Sequence, residues 1–178
     1  MQEHHARLCW TTTWRAARSA GGVIATLAAL GGTWAVTMTA MSDSGERADA
    51  RRIERGRYLV KTTGCNDCHT PGYLESAGRI DESRWLVGSS IGWQGPWGTT
   101  YPPNLRLLTQ RLTPDEWLLT ARREMRPPMP WFALRDMTDA DLLAIYYFTR
   151  SLGPAGKPAP AFVPPGKAPQ TPVVKVPG

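Results

Sequence analysis

The run Cys65-Asn66-Asp67-Cys68-His69 decides how this chain is read. Two thiols separated by two residues, with an imidazole directly after them, form the attachment signature of a c-type haem. The thiols can each add to a vinyl group of the porphyrin, and the histidine is placed to ligate the iron from the proximal side. Other uses of a Cys-x-x-Cys pair need partners that are scarce here. A closed zinc site takes four ligands. Of the three cysteines and three histidines in the chain, only Cys9, His4 and His5 lie outside the motif. A thioredoxin-like dithiol sits in a strand–helix–strand context, and no such alternation surrounds Cys65. One covalent haem is therefore the expected cofactor, with Cys65 and Cys68 as attachment residues and His69 as an iron ligand.

Upstream of the motif, residues 46–64 read as a helix, with Ile53, Gly56 and Val60 at i, i+3 and i+7. Gly56 weakens a helix relative to alanine, which makes sense if another backbone passes close by. Gly64 is a helix stop just before the motif. Downstream, residues 70–111 have little periodicity, and Gly92-Trp93-Gln94-Gly95-Pro96-Trp97-Gly98 excludes a regular helix. So long an irregular stretch suits a compact domain only if it packs on a large cofactor. The aromatics of the Trp-rich loop 85–101 are read as cofactor-packing or loop-core residues, with a partner-docking surface as the alternative.

Thr113-Pro114-Asp115-Glu116 is a strong helix start, combining an N-cap, a proline at the first helical position and a capping box. That helix is expected to run to about Glu124 and to bury Trp117, Leu118 and Ala121. Met125 to Trp131 must then be extended or turning, given Pro127, Pro128 and Pro130. Thr138-Asp139-Ala140-Asp141 opens a last helix that buries Leu142, Ile145, Tyr146 and Thr149, and Ser151-Leu152-Gly153-Pro154 stops it. Residues 154–178 are Pro-rich and aperiodic, an extended tail that is either loose or draped over the surface.

No histidine follows His69, so a second axial ligand within this domain is expected to be a methionine sulfur. Met125, Met129 and Met137 are the candidates. Met129 is preferred because Pro128 and Pro130 stiffen the backbone around it. Met125 and Met137 fall at helix ends and suit gap-filling roles, and a vacant sixth position is the remaining alternative. Pro71 is read either as orienting the His69 ring through a nearby carbonyl or as beginning a turn with Gly72.

Residues 1–19 carry Arg7, Arg15 and Arg18, whereas residues 19–42 carry no formal charge. As a helix the uncharged stretch would rise about 36 Å, against about 30 Å of bilayer hydrocarbon. Residues 20–42 are thus read as a membrane anchor, with a cleaved secretory signal as the alternative. The small-x-small runs Ala35-Val36-Thr37 and Thr37-Met38-Thr39 are imperfect cleavage sites. The arginine-bearing start would remain cytoplasmic and residues 46–153 would be exported, leaving Cys9 a cytoplasmic bystander. The formal charge of +6 comes without a basic stripe, so nucleic acid is not an expected partner. Arg51, Arg52, Arg55 and Arg57 form a local cluster, read as a solvated helix face, with an acidic partner or lipid head groups as the alternative.

In this order the motifs resemble a class I cytochrome c. Within that group the chain is similar to the small monohaem cytochromes, and single-haem modules of cytochrome subunits, found with bacterial periplasmic dehydrogenases. The resemblance rests on Gly56-Arg57-Tyr58-Leu59-Val60, Cys65 to Thr70, Gly95-Pro96-Trp97-Gly98 with Asn104-Leu105, Pro128-Met129-Pro130-Trp131, and Asp139 to Leu152. It implies an all-α domain around one covalent haem. In it the first and last helices would cross with Gly56 against the face around Ile145 and Tyr146, and His69 and Met129 would be the axial ligands. Two departures are the 1–19 extension and Asn104-Leu105-Arg106-Leu107, where Asn-Leu-Thr-Pro is usual.

The implied role is that of a single-electron carrier on the periplasmic side of a bacterial inner membrane, not an enzyme. Its partners would be a dehydrogenase, a quinol-oxidising complex or a terminal oxidase. A peroxidase-like haem enzyme is one rival, opposed by the lack of a distal histidine. A haem-containing sensor or assembly subunit of a larger oxidoreductase is the other.

Overall fold

A computed structural model of the chain describes residues 28–177, with side chains from residue 44 onward. In chain order it contains helix α1 (Ala28–Thr62), helix α2 (Cys65–His69), a 3-10 turn (Glu82–Arg84) and the hairpin β1 (Gly92–Gly95) and β2 (Gly98–Thr100). Helices α3 (Leu105–Arg111), α4 (Pro114–Ala121), α5 (Trp131–Asp136) and α6 (Asp139–Ser151) follow, then strand β3 (Val173–Lys175). The chain divides into two units, residues 1–42 and residues 43–178. The 1–19 extension expected from the sequence lies outside the described residues. So do 20–27 of the expected membrane segment, and of 28–42 only the backbone is described. Among the described residues no helix is long and apolar enough to cross a membrane.

Helix starts and stops follow the local chemistry of the sequence. Gly64 takes φ 79°, the left-handed conformation that ends α1. Thr113 and Glu116 form the reciprocal capping box, with Thr113 N–H to Glu116 Oε2 at 2.8 Å and Glu116 N–H to Thr113 Oγ1 at 3.3 Å. Thr138 Oγ1 accepts from the Asp141 N–H at 3.1 Å at the head of α6.

Helices α1 and α6 meet at Gly56. A Cβ on Gly56 would fall on the Ala144 carbonyl and within 2.6 Å of Phe148 Cβ, so the two backbones touch here with no room for a methyl. The face of α6 presented to Gly56 is the Ala144–Phe148 ridge, not the Ile145–Tyr146 face that the family resemblance implied. Residues Ala144 and Phe148 are one turn apart and line one row of the helix. Tyr146 is turned toward α4: its hydroxyl donates to the Leu112 carbonyl at 2.7 Å and its ring lies 6.2 Å from Trp117. The Trp117 indole in turn donates to the Leu142 carbonyl at 2.8 Å. Phe148, Leu86, Leu142 and Val60 are fully buried around the crossing, each contributing roughly 1.5–3 kcal/mol by leaving water.

Three arginines of α1, Arg52, Arg55 and Arg57, are spent on the fold itself. Arg55 makes a two-pronged pair with Asp141 on α6 (2.9 and 3.3 Å). Arg57 pairs with Glu82 at 3.0 Å and lies over the Phe148 ring, and Arg52 lies over Tyr147. Arg106 is buried and donates to the carbonyls of Ser83 (2.6 Å), Gly153 (2.6 Å) and Leu152. It caps the end of α6 and ties it to the 3-10 turn.

The stretch 70–111, read as irregular, holds the β1–β2 hairpin and α3. The hairpin closes through a Pro96-Trp97 loop, with Gly95 opposite Gly98, and Gly98 has φ 102°. Helix α3 is a short element capped by Asn104, whose Oδ1 accepts from the Leu107 N–H at 3.0 Å. Too few residues are involved for a helical period to show. The tail is draped: β3 adds to β1 in parallel, giving a three-stranded mixed sheet in the order β2-β1-β3. This sheet was not part of the all-helical expectation. Tail residues Val173 and Val174 suit a strand, but their partner strand is distant in sequence.

Gly56→Ala should destabilise the protein by about 1–3 kcal/mol through overpacking, despite alanine's higher helix propensity. Gly45→Ala on the same helix, where a Cβ meets nothing within 4 Å, should instead stabilise by about 0.5–1 kcal/mol. Denaturant midpoints of the two variants check the contrast.

Candidate functional site

The left-handed turn at Gly64 leads directly into α2, so that Cys65, Cys68 and His69 stand at i, i+3 and i+4 of one helical turn and share a face. Asn66, on the other side, is fully buried. Its Oδ1 accepts from Thr70 Oγ1 at 2.7 Å, and Thr70 Oγ1 accepts the Leu86 N–H at 2.8 Å. Leu86 has φ 61°, a conformation that strains a bulky side chain. It is held there from both sides, because its carbonyl accepts the Leu105 N–H at 3.0 Å. Next to it, the Gly88 N–H donates to the His69 carbonyl at 2.9 Å. The 86–88 segment is thereby pinned to the motif.

His69 is buried, and its Nδ1 lies 2.8 Å from the carbonyl of Pro103. A carbonyl only accepts, so Nδ1 carries the proton and Nε2 keeps the lone pair a metal would use. Burial pushes the His69 pKa below its ordinary value, with the Pro103 bond opposing, which favours the neutral ring. The orienting carbonyl is that of Pro103, not one near Pro71. Pro71 is exposed and sits in a turn closed by Tyr73 N–H to Thr70 O at 3.2 Å, with Gly72 at φ 77°. Pro103 was missed because its contribution is a main-chain oxygen. The only local cue is Pro102-Pro103 ahead of the Asn104 cap.

Cys65 and Cys68 are free, and burial pushes both thiols up, with Asp67 adding to the effect. Redox-active dithiols are built the other way, with a depressed thiol pKa. The shift therefore argues against the dithiol reading. His4, His5 and Cys9, which a closed zinc site would need, lie outside the described residues. Among the described residues no group of three or more His, Cys, Asp and Glu stands together.

The three methionines have different surroundings. Met137 packs against the buried core, the filling role expected of it. Met125 and Met129 are half-buried. Met129 sits in the turn between α4 and α5, where its N–H donates to Arg126 O at 3.3 Å and its carbonyl accepts from Trp131 N at 2.8 Å. Thr100 Oγ1 on β2 donates to the Pro127 carbonyl at 2.7 Å and ties this turn to the hairpin.

Within the Trp-rich loop, Trp85 is a core residue, edge-on to Tyr73 and Phe148, with its indole N–H on the Ile80 carbonyl at 2.9 Å. Trp97 Nε1 and Thr99 Oγ1 in the hairpin are buried with no partner in the protein. A buried donor without an acceptor is costly, and a carboxylate-bearing ligand is one way to supply acceptors. The residues present could hold a haem: two thiols and an imidazole on one turn, a free Nε2 lone pair, a thioether on a separate turn, and donors awaiting an acceptor.

No family model matches this chain, and no solved structure matches it. The chain is similar to part of a dehydrogenase. It is 28% identical over 130 residues to a nicotinate dehydrogenase subunit of Pseudomonas putida. The match takes in 63% of this chain and 10% of that relative, so the chain spans about a tenth of the relative's length. The similarity links the chain to dehydrogenase-associated proteins.

Thr70→Val should cost about 1–3 kcal/mol, because it leaves the buried Leu86 N–H and Asn66 Oδ1 unpaired. Thr70→Ser should recover most of that loss. Urea unfolding, followed by Trp fluorescence, reads both.

Proposed function

We propose that residues 46–153 form a c-type electron-carrier module that serves an oxidoreductase, most simply a dehydrogenase. The observation that carries this reading is the His69 Nδ1 bond to Pro103 O at 2.8 Å, on the same turn as two free thiols. It fixes the tautomer that leaves Nε2 available, as expected of a histidine whose task is ligation.

When bound, a haem supplies a one-electron iron couple, and the protein's part is to hold and tune it. Cys65 and Cys68 would anchor it covalently and His69 would ligate its iron. Met129 would supply a second iron ligand, a neutral, soft sulfur that favours the reduced metal and raises the potential. The 86–88 segment is held to the motif turn by the Leu86 N–H on Thr70 Oγ1 and the Gly88 N–H on the His69 carbonyl. No distal histidine or clustered acid–base group accompanies these residues among those described, which favours the carrier over a peroxidase-like enzyme.

The likeness to one component of a dehydrogenase supports a role inside or beside such a complex, with transient contact to its partner through a small interface. A location on the periplasmic side of the inner membrane, held there by residues 20–42, completes the proposal.

Expression in cells with a haem-attachment apparatus should yield a red, reducible protein whose intact mass includes one haem. Cys65→Ser and Cys68→Ser should each lose one thioether link. Met129→Ala should lose the far-red band of a thioether-ligated ferric iron and lower the potential, while Met125→Ala and Met137→Leu retain the band. A purified, folded protein without covalent chromophore would rule the reading out.

A further inference from the structure

A thioether is a weak ligand, and the Met129 turn's own main-chain bonds reach only its immediate neighbours: Met129 N–H to Arg126 O at 3.3 Å and Trp131 N–H to Met129 O at 2.8 Å. Pro127, Pro128 and Pro130 have no N–H to give. The ties that join the turn to the rest of the unit come from other segments. One is Thr100 Oγ1 to the Pro127 carbonyl at 2.7 Å. The other is the Arg126 guanidinium, which lies over the Phe162 ring at 4.1 Å from its centroid. Phe162 belongs to the Pro-rich tail, and the tail also supports Thr100. Val163 exchanges both main-chain hydrogen bonds with Thr99, at 2.8 and 3.0 Å. Tyr101 Oη and Thr171 Oγ1 are 2.8 Å apart. The Gly92 N–H reaches Pro172 O at 2.9 Å and the Val176 N–H reaches Gln94 O at 2.8 Å, bracketing the β1–β3 ladder.

The hairpin is shaped to receive this segment. At Gly98 a Cβ would fall on the Val163 carbonyl and 3.1 Å from Phe162 Cε2, so only glycine lets the tail lie this close. At its near end the tail is fastened by Asn104, whose Nδ2 donates to Ala155 O at 2.7 Å and Lys157 O at 3.2 Å. Asn104 directly follows Pro103, the carbonyl that orients His69. The tail thus runs from the proximal histidine's support to the methionine turn.

We propose that residues 154–176 are a strap that holds the Met129 turn against the hairpin, with Phe162 and Thr100 as positioning residues for the sixth ligand. The inference rests on the proposed haem ligation by His69 and Met129. It adds that the firmness of the methionine ligand is set by the tail and not by the turn's own proline frame.

The test uses the full haem-loaded chain. Cyanide is titrated into the ferric protein to read how readily the methionine is displaced, with the far-red thioether band as the second readout. Phe162→Ala should raise the apparent cyanide affinity roughly tenfold, since one cation–π contact and its packing amount to about that factor. The band should weaken at a lower pH than in the unchanged protein. Phe162→Tyr, which keeps the ring, should behave as the unchanged protein, as should Phe132→Ala, which alters an exposed ring on α5. Thr100→Val should act in the same direction as Phe162→Ala.

Equal cyanide affinity and an unaltered band in Phe162→Ala and Thr100→Val would overturn the strap. Should Thr100→Val fail to fold, Phe162→Ala decides alone, because Phe162 lies in the tail and outside the core cluster. An unchanged protein that carries covalent haem but shows no thioether band would instead sink the Met129 assignment, which separates the two failures.

Discussion

A neutral imidazole carries one N–H and one lone pair, and the 2.8 Å bond from His69 Nδ1 to the Pro103 carbonyl assigns both. The consequence reaches well beyond the ring. Pro103 must be held opposite α2, and the means are visible: Leu86, kept at φ 61° between Thr70 and Leu105, and Gly88 on the His69 carbonyl. A Cβ on Gly88 would lie 2.7 Å from Asn104 N and 2.9 Å from Pro102 O, so the two segments run against each other with no space between them. The Cys65–His69 turn, the 86–88 segment and the 102–106 segment are in effect one object. A histidine left free to rotate would make the rest of the arrangement pointless.

The α1–α6 crossing supplies the rigid base for that object. Its closeness explains why a glycine is tolerated in mid-helix, and the Arg55–Asp141 pair beside it fixes the rotation of one helix on the other. Such an exposed pair is worth little alone, typically below about 1 kcal/mol, and its value is in register. Because Arg52, Arg55 and Arg57 are engaged with acids and rings of the same unit, they offer less to an outside partner than their clustering in the sequence suggests.

How much of this the sequence discloses depends on the range of each interaction. Gly64, the Thr113–Glu116 box and the Thr138 cap involve groups within four residues of one another, and all three are read directly from residue types. The Gly56 contact was legible as a close approach, but not which ridge of α6 it would meet, since neighbouring faces of an apolar helix look alike in sequence. The hairpin and β3 were not legible. Their strands are three or four residues long, and β3 pairs with a segment far upstream. Pro103, Thr70 and Thr100 were missed for a related reason: each acts through a carbonyl or hydroxyl whose partner is set only by the tertiary fold. Cys65, Cys68 and His69 are picked out by their spacing, which the structure turns into one face of a single turn, whereas Met129 stands out only for the prolines around it.

The parallel pairing of β3 with β1 also imposes an order in time. Two parallel strands need a long crossover between them, and here the crossover contains the methionine turn and α6. As the chain emerges, the Cys65–His69 turn is complete first, the hairpin next and the Met129 turn after that, while the ladder has to wait for residues 173–175. Until then the edge of β1 that receives β3 stays unpaired, its main-chain N–H and C=O groups met by water.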